Sequence, residues 1–457
     1  MRFAFYFLYY LLTALTARDF KVVILTFPMF AAILFATRFT SSKRIDYIDA
    51  VSIIYFIAFV IVPLQKVEDW AFPTSLMSRG FPYPEYYFII VSALALFSYI
   101  TLTFFMRRSV APINKVALYT PPAPALIFVG IGVFLTLVAI AASGSVGNLL
   151  ASRYARESTD VGFIVPITIA ALSINATFTV VRKDPNPIRK AGTILIACAC
   201  LLFVCNPLNT ARFFLLGAWI PVLATLAPVI LNPFWFYLAI PFTFLFVLPV
   251  LNITTRFSTD RFSQIQDLFA SKSAIFEISY FDLLEAGCDA IRYVERYGHE
   301  NGGLFVSTVL SFFPRSLWPG KPINSGLLVG YMNDAEGLGN TNLAVPWFMD
   351  GYMDFGIIGG LVYAFLLAIT FGYVRKNITK TINGIDVFFL LFLANIAIIT
   401  RGTLAVTYIL ILFQTLFLLA YQGAFARAPG RAPRSRMPRP AQNGGRSPAP
   451  ARRAPPV

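Results

Sequence analysis

The chain holds one histidine, four cysteines and only 13% charged residues in 457 positions. A soluble globular domain carries about 25% charged residues, so a water-soluble enzyme is nearly excluded. His299 stands alone, and neither a His-Glu-x-x-His nor a Cys-x-x-Cys pattern occurs. A metal centre built on those ligands is not expected. Cys198, Cys200 and Cys205 fall in one apolar stretch and Cys288 stands far away, so no disulfide framework is expected either. Acids are scarce: 22 Asp+Glu face 37 Lys+Arg, a formal net charge of +15. In a soluble protein that balance would suggest nucleic acid. In a chain that is 57% apolar, with a mean hydropathy of +0.70, it first reports membrane topology. Neither a nucleic-acid partner nor a cofactor is expected.

What the chain has in abundance is apolar runs. Twelve are bounded by charges or turn residues, at about 3–17, 21–37, 48–65, 86–106, 124–143, 161–181, 191–206, 211–230, 234–252, 353–374, 385–400 and 403–421. A membrane-crossing helix needs about 20 such residues. The expected class is therefore an all-α, polytopic membrane protein of about twelve transmembrane helices. Residues 1–252 supply nine of them, 253–352 form one long outer loop with interfacial helices, 353–421 supply three, and 422–457 form a tail. Nothing resembles an inverted-repeat transporter half.

Charge sets the orientation. With the N-terminus in the cytoplasm, the inner side holds 22 of the 37 basic residues but only 4 of the 22 acids. The positive-inside rule then places both termini in the cytoplasm and the long loop outside. The tail carries eight arginines and no acid. It reads as disordered, either a topology anchor or a segment resting on anionic lipid.

The outer loop holds the segments richest in chemistry. From Ser279 to Gly298, Phe281, Leu284, Cys288, Ile291 and Val294 recur at helical spacing. Glu285, Asp289, Arg292, Glu295 and Arg296 fill the opposite face. This reads as a helix on the membrane surface with solvated charges, or as one offering Asp282 or Glu285 as a base. Asp282 alone also fits a capping box with Ser279. Residues 312–322 then read Phe-Phe-Pro-Arg-Ser-Leu-Trp-Pro-Gly-Lys-Pro. Three prolines forbid a continuous helix or central strand. Arg315 and Lys321 would sit on a stiff backbone suited to a phosphate or sugar, or would snorkel from an interfacial anchor. Gly351 to Gly360 opens the tenth span with glycines suited to close helix packing, and Asp354 stands among them.

Arg212 and Arg401 are expected at the outer N-termini of helices descending into the membrane. Arginine there opposes the helix dipole. An anion bound at that end explains both placements, as snorkelling to nearby water also would. Arg153, Arg156 and Arg256 are expected on the same side. A polyprenyl pyrophosphate carrying a glycan is the anion a membrane offers most directly.

Phe313-Pro314-Arg315-Ser316-Leu317-Trp318-Pro319-Gly320-Lys321-Pro322 resembles the Pro-Arg/Ser-x-Leu-Trp-Pro-Gly-Lys/Arg-Pro segment of the Wzy family, the O-antigen and enterobacterial common antigen polymerases. Thr210-Ala211-Arg212, Arg401-Gly402 and Asp354-Phe355-Gly356 are similar to weaker elements of that family. The resemblance covers roughly residues 150–410; the tail lies outside it.

It implies a metal-independent glycosyltransferase at the periplasmic face of the inner membrane. Such an enzyme moves an undecaprenyl-pyrophosphate-linked chain onto a new lipid-linked repeat unit. Besides that substrate, membrane lipids and a Wzz-like chain-length regulator are implied as partners. The expected catalytic set is Arg212, Arg315, Arg401 and Asp282. Lys321, Arg256, Arg153, Arg156, Trp318, Tyr280 and Asp354 are expected to hold substrate, with Tyr331 and Trp347 as further candidates for stacking on sugars. An O-antigen ligase or related lipid-carrier transferase, or a flippase, is the alternative.

The orientation is checked by fusions. A fluorescent protein placed after Val457 should fluoresce, and alkaline phosphatase inserted after Asn301 should be active. The reverse pattern overturns the assignment.

Overall fold

The computed structural model describes residues 1–40, 44–72, 81–108, 125–151, 164–182, 184, 186–207, 210, 212–243, 283–310, 318–336, 344–378, 381–382 and 385–425. Their regular structure is helical, apart from two antiparallel pairs of two-residue strands, Ala71–Phe72 with Phe81–Pro82 and Thr381–Ile382 with Ile385–Asp386. Seven helices among these residues are long and apolar enough to cross a membrane: Phe20–Thr37, Tyr47–Lys66, Glu85–Arg107, Leu126–Ser143, Ile164–Val181, Pro187–Val204 and Trp347–Lys376. Further apolar helices, Arg2–Leu15, Arg212–Leu226, Pro233–Phe242, Val387–Arg401 and Leu404–Phe425, lie where the sequence places the remaining five segments.

Helix starts follow local capping chemistry. Asp46 accepts from the amides of Ile48 at 2.9 Å and Asp49 at 3.2 Å, while the Asp49 carboxylate accepts from the Asp46 amide at 2.9 Å. This capping box satisfies donors that the first turn leaves free. Asn186 and Asn232 cap helices that open on Pro187 and Pro233, where a missing N–H costs nothing.

Helix 47–66 is buried almost throughout and passes through a π-helical turn at Ile57–Ile61. Ser52 and Tyr55 tie it to helix 85–108 through the hydroxyls of Tyr99 at 2.8 Å and Ser98 at 2.6 Å. Helices 125–143, 164–181, 187–204 and 212–226 share a second core around Leu172, Leu201 and Val222.

Charges gather at two ends of this bundle. At one, here called lower, the buried Asp49 accepts from Arg2 Nε at 2.6 Å and from Tyr237 at 2.9 Å. Arg375 donates to the Met106 carbonyl and lies 4.5 Å from the ring of Tyr47. At the other end, the upper, Tyr86 and Tyr87 donate to Glu295, and Arg18 pairs with Glu68 at 3.0 Å. The 20 residue-to-residue steps from Tyr86 to Met106 on helix 85–108 rise about 30 Å, so the ends are a membrane thickness apart.

The amphipathic segment forms a helix from Leu283 to Tyr297, ended by Gly298 at φ +86°. Residues 279–282, including Asp282 and the expected capping box, lie outside the described residues. The polar face is not simply solvated. Helices 85–108, Ser325–Ala335 and 347–378 cover the segment, and Asp289 is buried beside its apolar stripe. Gly287 permits the approach, because a Cβ there would meet Val91 Cγ1 at 2.6 Å.

The tenth expected span starts earlier than its apolar run suggests. Helical structure begins at Trp347 and breaks at Phe355 and Gly356, where Gly356 takes φ +67°, ψ −154°. The break folds Gly351 back onto Gly359, so that the expected close packing occurs within one segment. Gly360 also contacts the side chain of Leu94 on helix 85–108. A Cβ on Gly359 would run into the Gly351 carbonyl, whereas one on Gly130 meets nothing within 4 Å. Gly359→Val should therefore cost about 1–3 kcal/mol or more. Gly130→Ala should be neutral or slightly stabilising. Melting of the detergent-solubilised protein checks both.

Candidate functional site

The arginine hypothesis rests on where two helices end. Arg212–Leu226 and Val387–Arg401 pack together, with Gly217 so close to Asn395 that a Cβ would meet its Oδ1 at 2.6 Å. Just beyond the first helix, the Leu231 carbonyl accepts from the Ile45 amide at 3.1 Å. At the start of the second, Phe388 and Phe389 pack on the ring of Tyr47. The pair is therefore antiparallel, and its other end brings Arg212 and Arg401 to one level. From the Gly217 contact, five and six residues of helix carry the chain about 7.5 and 9 Å upward. Arg212 opens its helix as the sequence suggests. Arg401 does not: it is the last residue of helix 387–401, and Leu404 opens the next. Its charge there complements the dipole of the helix it ends. The opposition argued from the sequence holds for Arg212 alone. The backbones of both residues are described; their side chains lie outside the described part.

The upper end also contains a cleft of about 580 Å³, lined by Glu300, Asn301, Phe305, Pro322, Phe355 and Tyr363. Ligand clefts commonly span about 300–1,000 Å³. Asp354 lies buried behind it and holds lining residues in place. The buried carboxylate accepts from the amides of Gly302 and Leu304 at 3.1 Å and Phe305 at 3.0 Å, and from the Tyr363 hydroxyl at 2.7 Å. Helix Gly303–Val309 has no side-chain cap of its own, since Gly302 stands at its N-cap with φ +90°. Asp354 caps it from another segment. A carboxylate holding four donors is a structural clamp, which corrects its assignment as a substrate-binding group.

Other expected residues surround this cleft. Pro322, the end of the proline-rich segment, accepts from Ser307 Oγ at 3.1 Å, and the Lys321 amide donates to the Trp318 carbonyl at 3.1 Å. Lys321 and Trp318 are partly exposed beside the cleft. Helix 303–309 packs in turn on helix 404–425, which begins just past Arg401. Tyr331 is half-exposed, while Trp347 is wholly buried and unable to stack on a sugar. Arg153, Arg156, Arg256, Tyr280, Asp282 and Arg315 lie outside the described residues.

A second polar cluster braces the site from behind. Asp289 accepts from Tyr83 at 2.8 Å and Asn333 at 3.0 Å and pairs with Arg292 at 3.1 Å. Burial pushes the Asp289 carboxyl above its ordinary value, and Arg292, Asn333 and Tyr83 pull it back down. Glu336 pairs with both Arg292 and Arg296. Among the described residues, no group of three or more His, Cys, Asp or Glu side chains is placed to hold a metal.

Glu300 was not visible as a site residue from the sequence. The available signal was its place before Asn301 and Gly302, both of which adopt positive φ and turn the chain into the cleft.

Comparison with protein-family models, curated proteins and solved structures finds no match to this chain.

Hydrogen bonds to a charged acceptor contribute about 1.5–3 kcal/mol. Asp354→Ala should destabilise the protein by at least that amount and expose the amides of Gly302, Leu304 and Phe305. Tyr363→Phe, which removes one of the four donors to that carboxylate, should cost about 1.5–3 kcal/mol. Melting and hydrogen–deuterium exchange across 302–305 check both.

Proposed function

We propose that this chain is a polyprenyl-pyrophosphate-dependent glycosyltransferase that polymerises oligosaccharide repeat units at the outer face of an inner membrane. The reading takes twelve spans, both termini in the cytoplasm and the upper end facing the periplasm. One observation carries it: the antiparallel pairing of helices 212–226 and 387–401 brings Arg212 and Arg401 to the end that holds the cleft and the Trp318–Pro322 turn.

The chemistry needs charge at that place. A sugar hydroxyl of the acceptor attacks the anomeric carbon of the donor chain, and undecaprenyl pyrophosphate leaves with the bonding electrons. Negative charge grows on the departing bridging oxygen. Fixed cations in a poorly solvated site stabilise that charge more than water does, by about 2.7–4 kcal/mol for one well-placed donor. Arg212, Arg315 and Arg401 carry this role, with Lys321, Arg256, Arg153 and Arg156 holding the diphosphate. Carboxylates are kept away from the leaving group in this scheme: Asp354, Asp289 and Glu336 are each engaged by donors or cations. The apolar surface of helix 347–378 below the kink, with Ile357 and Ile358 exposed, suits contact with the lipid bearing the substrate.

The test is deletion of the gene in its host and electrophoresis of the surface polysaccharide. The ladder should collapse to a single repeat unit on lipid A core. Complementation with Arg212→Ala or Arg401→Ala should restore about 1% or less of the polymer, the loss that one such donor implies. Polymer that accumulates on the carrier but never reaches the core would make the protein a ligase. Loss of even the single repeat would make it a flippase or an earlier transferase.

A further inference from the structure

Polymerisation by direct displacement requires a group that takes the proton from the attacking hydroxyl. Building on the polymerase reading, we propose that the 300–306 cleft is the acceptor-sugar subsite and that Glu300 is the general base within it.

The carboxylates of the upper end sort by what already holds them. Asp354 accepts three amides and a tyrosine hydroxyl, and Asp289 is held by Tyr83, Asn333 and Arg292. Glu295 takes the hydroxyls of Tyr86 and Tyr87 outside the cleft. Glu300 lines the cleft itself. One of its oxygens accepts from Tyr293 at 2.6 Å, and the other has no hydrogen-bond partner among the described residues. Its backbone is pinned on both sides: its amide donates to Met353 O, and its carbonyl accepts from the Gly303 amide, each at 2.9 Å. Burial pushes the Tyr293 hydroxyl up, so it stays protonated and keeps donating. The result is an oriented carboxylate with one free oxygen.

The walls identify the ligand class. A carboxylate repels a diphosphate, so the cationic groups and this cleft serve different parts of the substrate. Phe305 and Phe355 expose 43% and 53% of their surface, and Pro322 adds a flat apolar edge. Apolar faces beside a carboxylate and the Asn301 amide match the C–H faces and hydroxyls of a sugar ring. In an inverting displacement the base and the leaving group lie on opposite faces of the reacting sugar, so this assignment requires the acceptor in the cleft to reach the anomeric carbon from the side opposite the diphosphate.

The step balances without a co-reactant. The acceptor O–H proton passes to the free Glu300 oxygen as the new C–O bond forms at the anomeric carbon. The C–O bond to the diphosphate breaks, and its electron pair leaves with undecaprenyl pyrophosphate.

The test uses the full-length protein in proteoliposomes containing lipid-linked single repeat units, with elongation followed from pH 4.5 to 8.5. Glu300→Gln should lower turnover at pH 7 by about 100-fold or more, the usual worth of a general base. The acidic limb of the wild-type pH–rate profile should vanish. Glu300→Asp should keep that limb at a reduced rate, and it carries the test if Glu300→Gln does not fold. Glu300→Gln turnover within threefold of wild type, or an acidic limb indifferent to both Glu300 substitutions, overturns the assignment of Glu300 while leaving the polymerase reading intact. A wild-type protein that does not elongate the chain in the same vesicles removes both.

Discussion

A charge in the apolar middle of the bundle has neither water nor a partner, and that constraint orders everything else. Insertion of an arginine or aspartate at a membrane helix centre costs about 2.5–3.5 kcal/mol. The chain responds by sorting its ionic groups to two levels. Arg2, Asp49 and Arg375 meet at one, and Glu295, Asp289 and Asp354 at the other. Between them the polar contacts are neutral, such as Ser52 with Tyr99 and Asn175 with Tyr421. Chemistry involving charge is thereby confined to the ends.

At the upper end, backbone geometry rather than side-chain bulk makes room for a ligand. Gly356 breaks helix 347–378, and Gly351 closes onto Gly359 across the break. That fold aims Asp354 at the free amides of helix 303–309 and leaves Phe355 at the mouth of a cleft. The same carboxylate thus caps a helix and ties together the two sides of a kink. Helix 283–297 supports the arrangement from behind, where its polar face is clamped through Asp289, Arg292 and Glu336.

The proposed reaction uses two kinds of group that must not meet. Cations serve a diphosphate, and a carboxylate serves a neutral hydroxyl. If Glu300 lay among the arginines, an ion pair would quench both. In this chain Arg212 and Arg401 stand at helix ends, and the proposed base stands in the turn that lines the cleft. In the proposed scheme the exposed Ile357 and Ile358 of helix 347–378 are the apolar flank along which the lipid-bound substrate would approach.

The sequence by itself determined which segments are helical and where the charges sort, because hydropathy, caps and helical period act over a few residues. The apolar helical segments, the amphipathic helix that stops at Gly298 and Arg212 at a helix start were legible in that way. Only the tertiary structure decided what those residues face. Asp354 became a cap through partners 50 residues away, and Asp289 was buried by Tyr83, 206 residues distant. Arg401 moved from a helix start to a helix end because the chain stays helical up to it before turning at Gly402. Glu300 gained a cleft because Phe355, Pro322 and Tyr363 converge on it from separate segments. Such contacts depend on which elements meet, and no local pattern encodes that.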